Sequence, residues 1–172
     1  DNAKKSGHND ATGLHESISC ENSEFPPRVA QMLYSLGCKT PLKFGTDDWR
    51  KAYRQLYTRD YHHAVVALWD PFHERVALFY MPGFPFGTLA SVNGFCRVPA
   101  AMTAITRQFF GIIVANYFDD YCTIDFANVV HHAQMMLLII HQLIGWSLDK
   151  FKHTRANFAN PFLGVISDLN HY

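Results

Sequence analysis

Residues 112–117 form an apolar run that passes through Phe118 into two adjacent aspartates, Asp119 and Asp120, and a second apolar run, residues 121–124, begins directly after them. Few folds accommodate that pattern. The runs are short and rich in β-branched and aromatic residues, so they read as a buried strand, a tight turn at Asp119-Asp120 and a short return strand. Hairpin turns ordinarily carry Gly or Asn at such a place. Two carboxylates side by side at the end of a buried strand repel each other, and the fold must supply something that makes this tolerable. In a chain this rich in Asp, one Asp-Asp dipeptide is expected about once by chance, so the flanking strands rather than the pair carry the meaning.

The rest of the pattern builds a sheet around this hairpin. Residues 1–25 are polar, with Ser-Gly, Asn-Asp and Thr-Gly turn signals, and read as an irregular surface segment. Pro26 and Pro27 open a helix with an apolar spacing of Val29, Met32, Leu33 and Leu36, and Gly37 stops it. Residues 42–48 read as a strand that runs into a helical turn over 49–56. Residues 62–69 and 75–81 are two strands joined by Asp70-Pro71-Phe72-His73-Glu74, a β-hairpin. Beyond the break at 83–87 comes a helix with Leu89, Val92, Phe95, Met102, Ile105 and Phe109 on one stripe. Pro99 in its interior is expected to kink it, at a cost of roughly 3 kcal/mol. Asp125 is placed to cap the following helix. That helix presents Phe126, Val129, Val130, Ala133, Met136, Leu137, Ile140 and Ile144 and stops at Gly145. Residues 160–167 supply a last strand. The order strand–helix–strand–strand–helix–strand is that of an α+β, ferredoxin-like (split βαβ) antiparallel sheet packed on helices. At 172 residues and 48% hydrophobic, the chain suffices for a single globular domain.

A second acid pair, Asp47-Asp48, closes the 42–48 strand. If that strand lies beside the 112–124 hairpin, Asp48, Asp119 and Asp120 converge on one point. Three hard oxygen donors of this kind suit Mg²⁺, which takes few protein ligands. Two such ions about 3.5–4 Å apart serve nucleotidyl transfer, one activating a 3′-hydroxyl and the other steadying the leaving pyrophosphate.

Several motifs in order then resemble those of the reverse transcriptase family, of retrotransposon type. Asp48-Trp49-Arg50-Lys51-Ala52-Tyr53-Arg54-Gln55 is similar to the family's first palm motif, Asp-x-x-x-Ala/Gly-Tyr-x-Gln. Pro85-Phe86-Gly87, with Phe95 downstream, resembles the second. Tyr117-Phe118-Asp119-Asp120 matches the Tyr-x-Asp-Asp box. Gly145 through Asp149, with Lys152, resembles the fourth, and Phe162-Leu163-Gly164 the Phe-Leu-Gly strand. Asp1 with Ser6-Gly7-His8-Asn9 looks like the end of the basic fingers motif. Thr88, Ser91-Val92 and Asp149 depart from the family's Leu, Ala-Pro and Asn. The resemblance spans nearly the whole chain.

The resemblance implies an RNA-directed DNA polymerase of a retroelement. Residues 1–40 and 57–83 would be partial fingers and 41–56 and 84–172 the palm, with the thumb absent. Asp48 and Asp119 would be principal ligands of two Mg²⁺ ions, with Mn²⁺ as a substitute and Asp120 assisting. Tyr53 would gate the incoming sugar, Phe86 and Gly87 would line the nucleotide and template path, and Tyr117 would touch the primer end. Lys152 would stabilise or protonate the leaving pyrophosphate, and Phe162-Leu163-Gly164 would form the strand that positions the primer. Expected partners are an RNA/DNA template-primer, a dNTP and the flanking domains of a larger polyprotein. Because the chain opens on Asp rather than Met, it reads as a fragment of such a frame.

Blander readings compete at several places. Fifteen basic and fifteen acidic residues leave zero net charge, so no global basic field announces nucleic acid. The regions that normally carry that charge would lie outside 1–172. A partial footprint remains in Arg50, Lys51, Arg54, Arg59, Lys150, Lys152 and Arg155. His62-His63 and His131-His132 read as structural, because adjacent residues diverge on a helix or strand. Met135 to Leu138 reads as core packing. Cys20, Cys38, Cys96 and Cys122 form no CxxC pair, which suits a reducing intracellular compartment, cytoplasm or nucleus. The longest apolar run, 135–140, is too short to span a membrane. The alternative to an enzyme is a catalytically silent remnant that binds nucleic acid or a protein partner. A third possibility, an RNA-dependent RNA polymerase, is disfavoured by the bulky Tyr53.

Overall fold

A computed structural model describes residues 3–14, 16–129 and 131–171. Asp1 and Val130, assigned above to the fingers motif and to a helix face, lie outside the described residues. The architecture is α+β with antiparallel sheets. The chain divides into two compact units. The described residues up to Ile18 join Lys51–Arg97, and Ser19–Arg50 joins the described residues from Val98 onward.

The second unit holds a four-stranded antiparallel sheet of β1 (Leu42–Asp48), β4 (Ile113–Tyr117), β5 (Asp120–Phe126) and β6 (Thr154–Asn157), in the spatial order β4-β5-β1-β6. With the helix of residues 89–110 between β1 and β4 and another between β5 and β6, this is the split βαβ order. Side chains alternate across the sheet, and register places Leu42, Phe44, Thr46 and Asp48 of β1 in one row with Phe126, Ile124, Cys122 and Asp120 of β5. At one end of this face Phe44, Ala115, Cys122 and Ile124 form a core with Phe25 and Ala30 of α1 (Phe25–Ser35) and with Phe162 and Leu169. At the other end the same face runs out into Asp48, Asp120 and Tyr117.

The opposite face carries Gly45, Asp47, Thr123 and Tyr121. It is covered by α3 (His132–Leu143) and by the C-terminal part of α2 (Leu89–Phe110). Thr103 of α2 donates its hydroxyl to Asn116 Oδ1 at 2.8 Å, and Arg107 Nε donates to the Val114 carbonyl at 2.7 Å. Helices α1 and α3 end alike. The amides of Gly37 and Cys38 return to Tyr34 and Leu33, and those of Gly145 and Trp146 to Gln142 and His141. These are Schellman closures, with Gly37 and Gly145 at the positive φ that glycine adopts without strain.

Several elements differ from their sequence reading. In α1 Met32 and Leu36 are exposed, and Phe25, Pro26 and Ala30 are the buried residues. The α2 stripe is Phe95, Met102, Thr103 and Thr106, whereas Ile105 and Phe109 face solvent. Helix α2 is continuous through Pro99. The turn of the β4–β5 hairpin is Phe118-Asp119, and Asp120 already belongs to β5 opposite Tyr117. Asp125 lies within β5, which stays paired to β1 as far as Phe126 and is followed by a 3-10 turn over Ala127–Val129. Its carboxylate nonetheless accepts the Ala133 amide of α3 at 2.9 Å. Met135 and Leu138 are exposed rather than core. The expected strand at 160–167 is a hairpin, β7 (Ala159–Phe162) and β8 (Val165–Asp168), turning at Leu163 and Gly164, both at positive φ.

In the first unit, β2 (Val65–Asp70) pairs with β3 (Arg75–Tyr80), and residues 61–63 form a 3-10 turn rather than the start of the strand. The N-terminus of α2 is held by side chains. Asn9 donates to the Gly87 carbonyl and accepts the Leu89 amide, each at 3.0 Å, and Thr88 Oγ1 accepts the Ser91 amide. The Thr88 and Ser91 hydroxyls also bond each other at 2.6 Å. Thr88 and Ser91, two of the residues at which the sequence departs from the motif it resembles, thus share one helix cap.

Candidate functional site

The carboxylates meet because of strand register. Asp48 is the Cα partner of Asp120 across β1 and β5, and Asp119 precedes it in the turn. The Trp49 amide donates to the Asp119 carbonyl at 3.2 Å, fixing the turn against the end of β1. Phe118 holds φ +52°, a conformation that costs a non-glycine residue about 1 kcal/mol or more, so the turn is over-determined by its neighbours.

The other wall is the loop after α3. Asp149 donates its amide to the Asp48 carbonyl at 2.7 Å, Arg50 donates to the Ser147 carbonyl at 3.0 Å, and Trp49 forms an isolated bridge with Leu148. Asp149 Oδ1 accepts the Phe151 amide and its carbonyl the Lys152 amide, curling the loop so that Lys152 Nζ reaches Asp48 Oδ2. Behind the sheet, the Trp49 indole N–H donates to His141 Nε2 at 2.9 Å. The imidazole therefore carries its proton on Nδ1, which donates to the Leu137 carbonyl at 2.8 Å. Burial lowers the His141 pKa and keeps it in that neutral form.

The electrostatics follow from crowding. Burial pushes the Asp119 pKa up to about 6, with the charges of Asp48 and Asp120 adding to it. Asp120 is raised too, by burial and then by Asp48, and Lys152 pulls it the other way. The hydrogen bond and charge of Asp48 raise the pKa of Lys152. Asp48 is buried, and its Oδ1 meets no hydrogen-bond donor among the described residues. Hard, acceptor-only oxygens that repel one another, one of them without a donor, match in chemistry what a hard divalent cation needs. Among the described residues, however, no group of three or more His, Cys, Asp or Glu side chains is arranged to hold a metal ion as it stands. The positive group at Asp48 is the Lys152 ammonium.

Tyr117 stands at the same end of the sheet, opposite Asp120, with its ring 5.0 Å from that of Phe118. Tyr53, Phe86 and Gly87 belong to the other unit. There the buried Tyr53 ring stacks on Phe95 at 4.4 Å and is covered by Phe86 at 4.7 Å, and Gly87 adopts φ +88°. Phe162 is a core residue at the end of β7, and Leu163-Gly164 is a turn rather than part of a strand.

Sequence reasoning missed the second layer. Asp47, buried on the reverse face, bonds Gln134 Nε2 at 3.0 Å and His153 Nδ1 at 2.7 Å. The adjacent pair Asp47-Asp48 thus grips the adjacent pair Lys152-His153 from both faces of the sheet. Period-two alternation was the available signal, since neighbouring acids on a strand must serve opposite sides.

No family model and no curated protein matches the chain. Among solved structures, the foamy viral protease-reverse transcriptase dRH in complex with ds DNA aligns with a TM-score of 0.62 at 15% identity. The match covers 95% of this chain and 26% of that one. The fold is reverse transcriptase-like. At that identity the likeness speaks for a reverse transcriptase-like fold alone, and the chain spans about a quarter of the length of the protein it resembles. Among the described residues no helix is long and apolar enough to cross a membrane.

Proposed function

We propose that this chain carries the nucleotidyl-transfer centre of a retroelement RNA-directed DNA polymerase, which joins dNTPs to a primer 3′-hydroxyl. The observation that carries the reading is the register of Asp48 against Asp120, with Asp119 beside them in the turn. In this reading Asp48 and Asp119, assisted by Asp120, hold two divalent ions, Mg²⁺ or Mn²⁺. When bound, such ions supply activation of the hydroxyl and charge stabilisation at the departing pyrophosphate.

The chain's own residues do the rest. Lys152 keeps its proton through neutral pH and offers it at Nζ beside the acids, where a leaving pyrophosphate needs one. Tyr53, clamped between Phe95 and Phe86, is a rigid aromatic body of the kind that excludes a 2′-hydroxyl by contact. Tyr117 would meet the primer end, and Phe86 and Gly87 the nucleotide and template path. The partners required are an RNA/DNA template-primer, dNTP and the flanking domains of a larger polyprotein.

One observation favours the second reading, a silent remnant that binds nucleic acid or a protein partner. The Lys152 ammonium sits on Asp48, and no ready-made ion cage is present among the described residues. Primer extension on an RNA template with Mg²⁺, in a protein with fingers and thumb restored, separates the two. The polymerase reading expects Asp119→Asn with Asp120→Asn to lower extension by about a hundredfold or more. Extension by the double variant equal to the parent's overturns it.

A further inference from the structure

A cleft of about 620 Å³ opens on the reverse side of the sheet, between α3 and the loop that follows it. Its size is that of a site for a drug-sized molecule. Met135 and Leu138, one turn apart on α3, line it with Trp146 and Leu148 of the loop. Both α3 residues are substantially exposed, at 52% and 40%, on a helix whose other face is buried. The Trp146 indole is fixed by its contact with Trp49, centroids 4.8 Å apart. Thioether, isobutyl and indole surfaces at fixed positions favour a flat aromatic body.

The two acids on the lining are at least partly engaged. Asp47 is buried, and its two oxygens are already taken by Gln134 and His153. Asp149 Oδ1 is taken by the Phe151 amide. The exposed charges on the lining are those of Lys150 and Arg155. His131 also lines the cleft. Arg155 Nε donates to its Nε2 at 2.5 Å, so the neutral ring carries its proton on Nδ1, and that buried atom has no hydrogen-bond partner among the described residues. The residue also holds φ +68°, local strain of a kind that concentrates at functional sites. Two exposed cations beside an apolar wall, with the partly exposed acid Asp149 already bonded through Oδ1, favour an anion.

We propose that this cleft is a binding site for a flat aromatic ligand bearing one acidic group, separate from the carboxylate cluster. The claim stands whether or not the chain is a polymerase, because none of the residues it uses is an assigned metal ligand and the basic footprint read from Lys150 and Arg155 is not needed for it.

The test is a fluorescence titration of the 172-residue chain with 8-anilinonaphthalene-1-sulfonate in EDTA, which leaves the acid cluster out of play. The expected result is saturable one-to-one binding. Met135→Glu with Lys150→Glu, both exposed positions, should weaken it at least about tenfold, a change of about 1.4 kcal/mol. Phe72→Ser, on the exposed β2–β3 turn, should leave it unchanged. If circular dichroism shows the double variant unfolded, Leu138→Ser with Lys150→Gln is read in its place. Absence of saturable binding, an affinity in the cleft variant within about twofold of the parent's, or loss of binding in Phe72→Ser each overturns the proposal.

Discussion

Asp119 stands where water is partly excluded and two other carboxylates press on it, so its folded pKa of about 6 lies well above the ordinary 3.8. For an acid with a raised folded pKa, stability is fully present below the unfolded value and is lost as pH rises through the folded one. The window is therefore pH 4 to 6. Asp119→Asn removes that titration. Against the parent, the variant should gain about 1–2 kcal/mol between pH 4 and 7, a figure discounted for partial exposure and read from denaturant midpoints at each pH. A parallel pH dependence of the two proteins would contradict the crowding argument. Lys152 shows the same local logic with opposite sign, since its ion pair places an ammonium beside buried Asp48. Asp48, Asp119 and Asp120 were legible as a set because an apolar run ending in two acids has few other uses. The role of Asp47 was not, because one sequence cannot tell which acid of a pair points to which side.

At the scale of elements, Gln134 explains a glycine in the middle of β1. The ladder between β1 and β6 shifts register between Phe44 and Thr46, and the ladder bonds lost there are replaced by the Gln134 amide. Its Nε2 donates to Asp47 and to the Thr154 carbonyl, and its Oε1 accepts the Ala156 amide at 2.9 Å. A Cβ on Gly45 would stand 2.4 Å from that side chain. Gly45→Ala should therefore cost about 2–4 kcal/mol, as buried polar groups lose their partners, measurable by urea denaturation. A loss below about 0.5 kcal/mol would show that Gln134 relocates freely. The same arrangement explains why β6 escaped sequence reading. Thr-Arg-Ala-Asn has no strand periodicity, and its pairing leans on a side chain twenty residues upstream of Thr154. Strand β1 was read to its true ends, Leu42 and Asp48. The 159–168 hairpin was read as one strand because its turn opens on Leu163, a residue that gives no turn signal.

For the whole molecule the question is how a chain with no net charge would serve the nucleic-acid reaction proposed for it. Affinity for a phosphate backbone rests on many basic contacts, and here the fifteen basic residues are matched by fifteen acidic ones. A chain of this kind can still own the chemistry if the divalent ions supply the local positive charge and other parts of a larger protein grip the duplex. Everything then depends on whether the three acids bind ions. Calorimetric titration of the chain with Mn²⁺ at pH 7.5 tests that most directly, alongside Asp48→Asn and the Asp119→Asn, Asp120→Asn pair. The account predicts saturable binding that each variant weakens at least about tenfold. Binding of equal strength in all three proteins, or no binding in the parent, would contradict it.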